Sequence, residues 1–541
     1  DADTTSLSPP TGFSSSGTPL DHSTAYTYDA QGRPDTTSAP DSKVSKRYYS
    51  KLADGREVVL SYPKYVDTTT DEFYGPVGYT VANHASKAEL QGTIALASNV
   101  STAAITTHID ESDDDPITAV DTGSAFGALA KMTTQLYDET GTMVEERRQY
   151  FTLPSSGVGT DSANYDPTLY GYDDSGRKWR VKEAHGTIYR TVFDIHGRAT
   201  ERHMGTNDSS FSGGESSGTD NMVKTDEMVY DAGADGGNGH MTKTTAFVVD
   251  GTTNRRDTTF SHDLRGNVLL ETRAAAPHAF NKFDNMNRMI ASGMFSSTAS
   301  ITVGSDDPTT ETANRLALTQ TFFDERGQVW KSQRHKIDES DGSDDDNLQT
   351  LTWFDSTGRA VKVDGAELTK TLYDRLGRVT HSFTLAVDND TVYADADDVS
   401  GDIVLVERQT TYEADSSNVI MEATISRLHD DYSTGETTGA LDTNADGDSL
   451  LYTAANIEGR IQITAMWYDA DTDRLEDRVG YGTYGGSNFD RDGLSVPTRS
   501  DTALRSTYTY YDDGELEKVE DPRGLFTRYE YDDAGRRTKV V

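Results

Sequence analysis

Cysteine is absent from the 541 residues, which excludes disulfides, thiolate metal sites and cysteine nucleophiles together. Apolar residues are scarce at 34%, against about 45–50% in ordinary globular chains on a scale that also counts glycine. The chain is therefore lean in core-forming material. No apolar run approaches the ~18 residues that a membrane-spanning helix needs, and no stretch sustains a helical period. Positive charge is also short: 50 Lys and Arg face 90 Asp and Glu, a formal net charge of −40. Such a polyanion repels nucleic acid and anionic membrane surfaces, so neither nucleic-acid binding nor membrane insertion is expected. What is plentiful is aromatic. The 28 Tyr, 17 Phe and 4 Trp are too many for a disordered acidic tail, so the chain should fold.

An aromatic residue, an aspartate, two variable residues, a glycine and usually an arginine recur along the sequence. Examples are Tyr28-Asp29-Ala30-Gln31-Gly32-Arg33, Tyr172-Asp173-Asp174-Ser175-Gly176-Arg177, Phe193-Asp194-Ile195-His196-Gly197-Arg198, Tyr373-Asp374-Arg375-Leu376-Gly377-Arg378 and Tyr531-Asp532-Asp533-Ala534-Gly535-Arg536. Asp suits the first position of a type I turn, where its side chain accepts backbone N–H groups further along. The glycine fits the left-handed position that closes a three-residue hairpin loop with a bulge. Phe283-Asp284-Asn285-Met286-Asn287-Arg288 puts Asn in that slot, the next most tolerant residue. Aromatics at period two before the turn, as in Tyr170/Tyr172 and Tyr529/Tyr531, share one face of a strand. Each repeat should supply two strands.

The Tyr-Asp-x-x-Gly-Arg pattern resembles the RHS/YD-repeat family of large, mostly secreted or surface-exposed bacterial proteins, which includes wall-associated proteins, polymorphic toxins and the animal teneurins. The copies run from Tyr28 to Arg536. The resemblance implies an all-β fold in which YD-repeat antiparallel hairpins spiral into a hollow shell or tube. The reading places an irregular part with degenerate repeats at 1–110 and a shell segment at 111–541, continuous with each other. Asp1 to Pro10 is polar with no basic or apolar leader pattern, and Arg536 to Val541 reads as part of a strand, so a segment of a longer chain is expected.

Among candidate sites, Gly214-Glu215-Ser216-Ser217-Gly218 has the Gly-x-Ser-x-Gly spacing, but its polar Ser/Gly flanks lack the strand and helix of a nucleophile elbow. Asp442, Asn444, Asp446 and Asp448, around Gly447, space oxygens as a Ca²⁺ loop does, with Thr453 where a bidentate Glu would stand. The competing reading is a solvated acidic hairpin tip. Gly236 to Met241 lacks the Asp of a calcium nonapeptide. His262 occupies a motif aromatic slot and reads as structural. Asp521-Pro522-Arg523-Gly524-Leu525 is similar to the element at which toxin-bearing family members release their cargo, yet the approach to an ordinary repeat follows, so it reads as a turn. The acidic stretches Asp338–Asn347, Asp388–Asp402 and Asp430–Asp448 are expected to project from hairpin ends.

The expected function is a non-enzymatic extracellular or cell-surface β-shell or fibre segment, structural or adhesive. The alternative is the encapsulating shell of a secreted polymorphic toxin or other cargo protein. No catalytic residue and no cofactor other than Ca²⁺ is expected. The expected partners are further repeats of a longer chain or like subunits, with cell-surface glycans or a carried cargo domain beyond them.

Overall fold

The computed structural model describes residues 24–38, 44–66, 72–96, 100–101, 109–120, 126–211, 220–233, 237–248, 255–413, 416–428, 438–443, 450–533 and 535–541. Among these, the regular structure is β-strand apart from four short 3-10 turns. The strands belong to one long antiparallel sheet, apart from the pair Leu451–Tyr452 and Phe489–Asp490. From Tyr165 onward neighbours in sequence are mostly neighbours in the sheet, as the repeat predicts. Earlier the order is less regular: Glu57–Val66 pairs with both Glu72–Tyr74 and Val77–Ala82, and Ala88–Leu96 pairs with Phe126–Tyr137.

The motif hairpins close as the residues dictate. In Asp194 to Arg198 the Asp194 N–H donates to the Arg198 carbonyl at 2.9 Å and the Gly197 N–H to the Asp194 carbonyl at 3.0 Å. Register then slips by one between Val192 and Phe193, the bulge expected after a three-residue loop. Gly377 sits at φ +82° and Asn287 at φ +62°, so the departure at Asn287 keeps the same geometry. Asp521 to Leu525 is also such a turn, between Leu516–Glu520 and Phe526–Tyr531.

The chain divides into two compact units. The first comprises Asp1–Leu169, Tyr373–Phe383 and Val404–Val541. Its main apolar cluster runs from Leu52 to Tyr165 and includes Leu60, Tyr62, Phe73 and Tyr79; a second gathers Met421, Ile463 and Phe489. Within this unit, residues far apart in sequence lie side by side. Lys131 Nζ is 3.5 Å from Asp513 and also pairs with Glu515. The Leu153 N–H donates to Asp533 Oδ2 at 2.8 Å, and Arg536 reaches Asp166 at 3.3 Å. More than twenty strands separate these partners along the chain, about 100 Å in a flat sheet at 4.8 Å per strand.

The second unit comprises Tyr170–Leu372 and Thr384–Ile403. Consecutive antiparallel pairing puts its motif turns at one end of the sheet and its long crossovers, such as 296–314, at the other. Its apolar cluster, Leu270, Phe280 and Phe295 with Ile301 and Val303 against it, is small.

Candidate functional site

Two arrangements concentrate the charged chemistry. The first lies at the motif turns, where arginine has a role that the sequence pattern alone did not reveal. Arg Nε donates back to its own turn aspartate, as in Arg198 to Asp194 and Arg288 to Asp284, both at 2.7 Å. The guanidinium then lies over an aromatic ring of a following hairpin: Arg33 over Tyr49 (3.9 Å), Arg177 over Phe193 (4.9 Å), Arg198 over Tyr230 (4.4 Å), Arg288 over Phe323 (4.4 Å) and Arg378 over Tyr412 (4.3 Å). Where that aromatic is tyrosine, its hydroxyl donates to the carbonyl just past the arginine. Tyr49 reaches Pro34, Tyr230 reaches Ala199 and Tyr412 reaches Val379, at 2.8–3.1 Å. These repeats are thus tied to a following one by a cation–π contact, joined by a hydrogen bond where the ring is tyrosine. The aspartates are held below the usual carboxylate range, Asp29, Asp173 and Asp284 first by the backbone N–H of the arginine four residues on.

The second arrangement anchors the crossovers at the opposite end of the sheet. Eight residues past a motif aromatic and three before the next, two side chains face each other across neighbouring strands. They are Arg180 and Arg190 in one repeat, Leu270 and Phe280 in another, Lys362 and Lys370 in a third. Like charges directly opposite destabilise a sheet, and in both cationic cases a crossover aspartate bridges them. Asp208 accepts from Arg180 Nε at 2.7 Å and lies 3.4 Å from Arg190 Nη1. Asp390 accepts from Lys370 at 2.6 Å and Lys362 at 2.7 Å. Lys362 also pairs with Asp388, and Lys370 with Asp402 at 2.7 Å and the carbonyls of Asp395 and Asp398. Lys370 is 1% and Asp402 0% exposed. The apolar pair instead receives Ile301 and Val303.

The acidic stretch Asp388–Asp402 therefore does not project as expected. Its carboxylates fold back onto buried lysines, because a buried cation pair demands counter-charge. The 296–314 crossover is held likewise, by Lys282 on Asp307 and by the buried Arg315, which donates to the carbonyls of Pro308, Thr309 and Gly342 and to Asp344.

Of the four expected calcium ligands, Asp442 is described. Its backbone N–H donates to Glu407 Oε2 at 3.1 Å, beside that of Leu441 at 2.6 Å, and its Oδ2 accepts from Gln409 at 3.2 Å. Glu407 is buried, and burial pushes its carboxyl up against the pull of Gln409 and the two N–H groups. Asn444, Asp446 and Asp448 lie outside the described residues, as do Gly214–Gly218. Among the described residues there is no group of three or more His, Asp or Glu placed to hold a metal.

The family model described as RHS Repeat matches residues 510–541. Residues 510–541 are an RHS repeat. That repeat holds the turns at Gly514, Gly524 and Gly535, all at positive φ. No curated protein matches the chain. Solved structures similar to it include the TcdB2–TccC3–TEV and TcdB2–TccC3–Cdc42 crystal structures, each 13% identical over 96% of this chain and 24% of theirs, with TM-scores of 0.32 and 0.30. A TccC3 mutant of the Photorhabdus luminescens Tc holotoxin pore is 13% identical over 96% and 25%, at a TM-score of 0.26. The chain spans about a quarter of the length of these structures.

Proposed function

We propose that this chain is a segment of an extracellular β-shell that encloses a carried polypeptide, with no catalytic chemistry of its own. The RHS repeat at 510–541 fits both an encapsulating shell and a free fibre. The observation that favours enclosure is the return of the first unit onto itself, with Lys131 at Asp513 and Asp533 at Leu153. In a ribbon that extends strand by strand, those residues would move apart. The crossover anchors support a structural role: Lys370 Nζ is surrounded by two carboxylates and two carbonyls that fix it between the strand and the crossover. Among the described residues no helix is long and apolar enough to cross a membrane.

The test is protease protection in the full-length protein. A carried segment should survive protease while the shell is intact and be digested after Lys131→Glu with Arg536→Glu reverses both charges at the return contact. A carried segment cut at the same rate before and after, or micrographs of an open fibre, would overturn enclosure. Calcium at Asp442, Asn444, Asp446 and Asp448 is a separate proposal, resting on the spacing of those residues in the sequence.

A further inference from the structure

One contact in the ladder between hairpins is built differently. The Asp231 N–H donates to the His240 carbonyl at 2.9 Å, the bond that Asp194 makes to Arg198 in the preceding turn. His240 therefore stands in the arginine slot, and His262 stands in the aromatic slot of the next motif. Where other repeats place a guanidinium over a ring, this one stacks two imidazoles, 5.0 Å apart and 21° from parallel. Gly266, at φ +89°, leaves room for the pair: a Cβ there would come within 2.6 Å of His240 Cε1. Among the described residues the charged groups around it are few. Asp231 faces His240 but is already bound to Arg198 at 3.0 Å and to the Gly239 N–H. Asp263 follows His262 and is occupied by Asn267 and the Arg265 N–H. The Arg265 side chain reaches away to the Asp284 carbonyl, and Phe260 lies 6.5 Å from His262.

We propose that the His240–His262 stack is a pH-sensitive release point in a ladder whose arginine rungs keep their charge at all physiological pH. Neutral imidazoles stack, and one imidazolium over a neutral ring still attracts. Two imidazoliums at this distance repel, with both nearby carboxylates already engaged. Burial, and next the charge of His240, push the His262 pKa below its ordinary value, with Asp263 opposing. A histidine depressed in the folded state contributes stability that is present above its unfolded value of about 6.5 and is lost as pH falls through the folded value. The window therefore opens below about pH 6.5, well above the range in which the turn aspartates titrate.

The test is amide hydrogen exchange across 223–272 in the whole chain, at pH 7.5 and pH 5.0, corrected for intrinsic rates. The comparison is the double variant His240→Arg with His262→Phe, which rebuilds the Arg177–Phe193 type of rung. Native protection should fall between the two pH values, while that of the variant stays level. If the double variant exchanges faster throughout at pH 7.5, His262→Phe alone serves, since it removes one of the two charges and should also abolish the step. An equal pH response in native and variant chains, or a His262 NMR titration midpoint at or above 6.5, would overturn the proposal.

Discussion

The strands between Leu52 and Tyr165 and those of the second unit reach order by different means. Val77–Ala82 alternates buried and half-buried residues and packs into one apolar cluster with Leu60, Tyr62 and Phe73. Val223–Tyr230 is half-buried at every position. A strand with no fully buried face cannot draw its stability from a thick core. The repeats draw theirs from turn geometry, from arginine and tyrosine contacts between hairpins, and from buried charges that hold the crossovers. This is how a chain with 34% apolar residues can be ordered over most of its length. Buried apolar residues are concentrated between Leu52 and Tyr165.

The difference is breakable. The largest effect is expected at Lys370→Ala, which leaves the fully buried Asp402 without its cation and Asp390 with Lys362 alone. It should destabilise the second unit by about 3–5 kcal/mol, the range for removing one member of a buried ion pair, and leave the Leu52–Tyr165 cluster melting as before. In that cluster, Leu60→Ala should cost about 3 kcal/mol through lost transfer and cavity formation, read by denaturant titration. A crossover-anchor variant that unfolded the Leu60 region equally would show that the two regions do not differ in this way.

Turn variants come next. Gly377→Val forces a β-branched residue to φ +82° and should destabilise its hairpin by more than about 1 kcal/mol, whereas Gly377→Asn should be tolerated better, as Asn287 already is at the equivalent slot. Arg288→Lys keeps the charge but loses the planar stack on Phe323 and the fork onto Asp284. About 0.5–1 kcal/mol should be lost, confined to hydrogen exchange in the 278–337 strands. The smallest effect concerns the solvent. Millimolar Ca²⁺ should raise the melting temperature through the Asp442 loop, and an Asp446→Ala variant with an unchanged calcium response would remove that site. The acid limb follows from the turn aspartates. Carboxylates depressed in the folded state contribute stability that is present above about pH 3.9 and lost as pH falls through their folded values, so the repeats should unfold on acidification below pH 4.

The order of legibility follows from distance along the chain. The all-β fold, the turn type and the left-handed slot were readable because each depends on residues no more than four positions apart: Asp29 accepts from Gln31 and Arg33, and the glycine sits between them. The arginine's reach to a ring 16–35 residues on was not readable, because that separation changes with every intervening loop, from Arg33–Tyr49 to Arg288–Phe323. Its signal was present all the same, in arginine recurring where a turn alone has no need of it. The acidic stretch 388–402 was misjudged because acidic composition reads as solvated unless a cation waits beneath it, and Lys362 and Lys370 become neighbours only through strand register.

By itself the sequence determined the local backbone. Aspartate, two turn residues and a left-handed glycine set each hairpin, and alternation set each strand, since these choices are made by steric and hydrogen-bonding terms within a few residues. Tertiary structure alone decided which cation meets which crossover aspartate, that His240 stacks on His262, and that Lys131 comes to lie beside Asp513. Those contacts depend on register and curvature accumulated over many strands, and no window of sequence contains that sum.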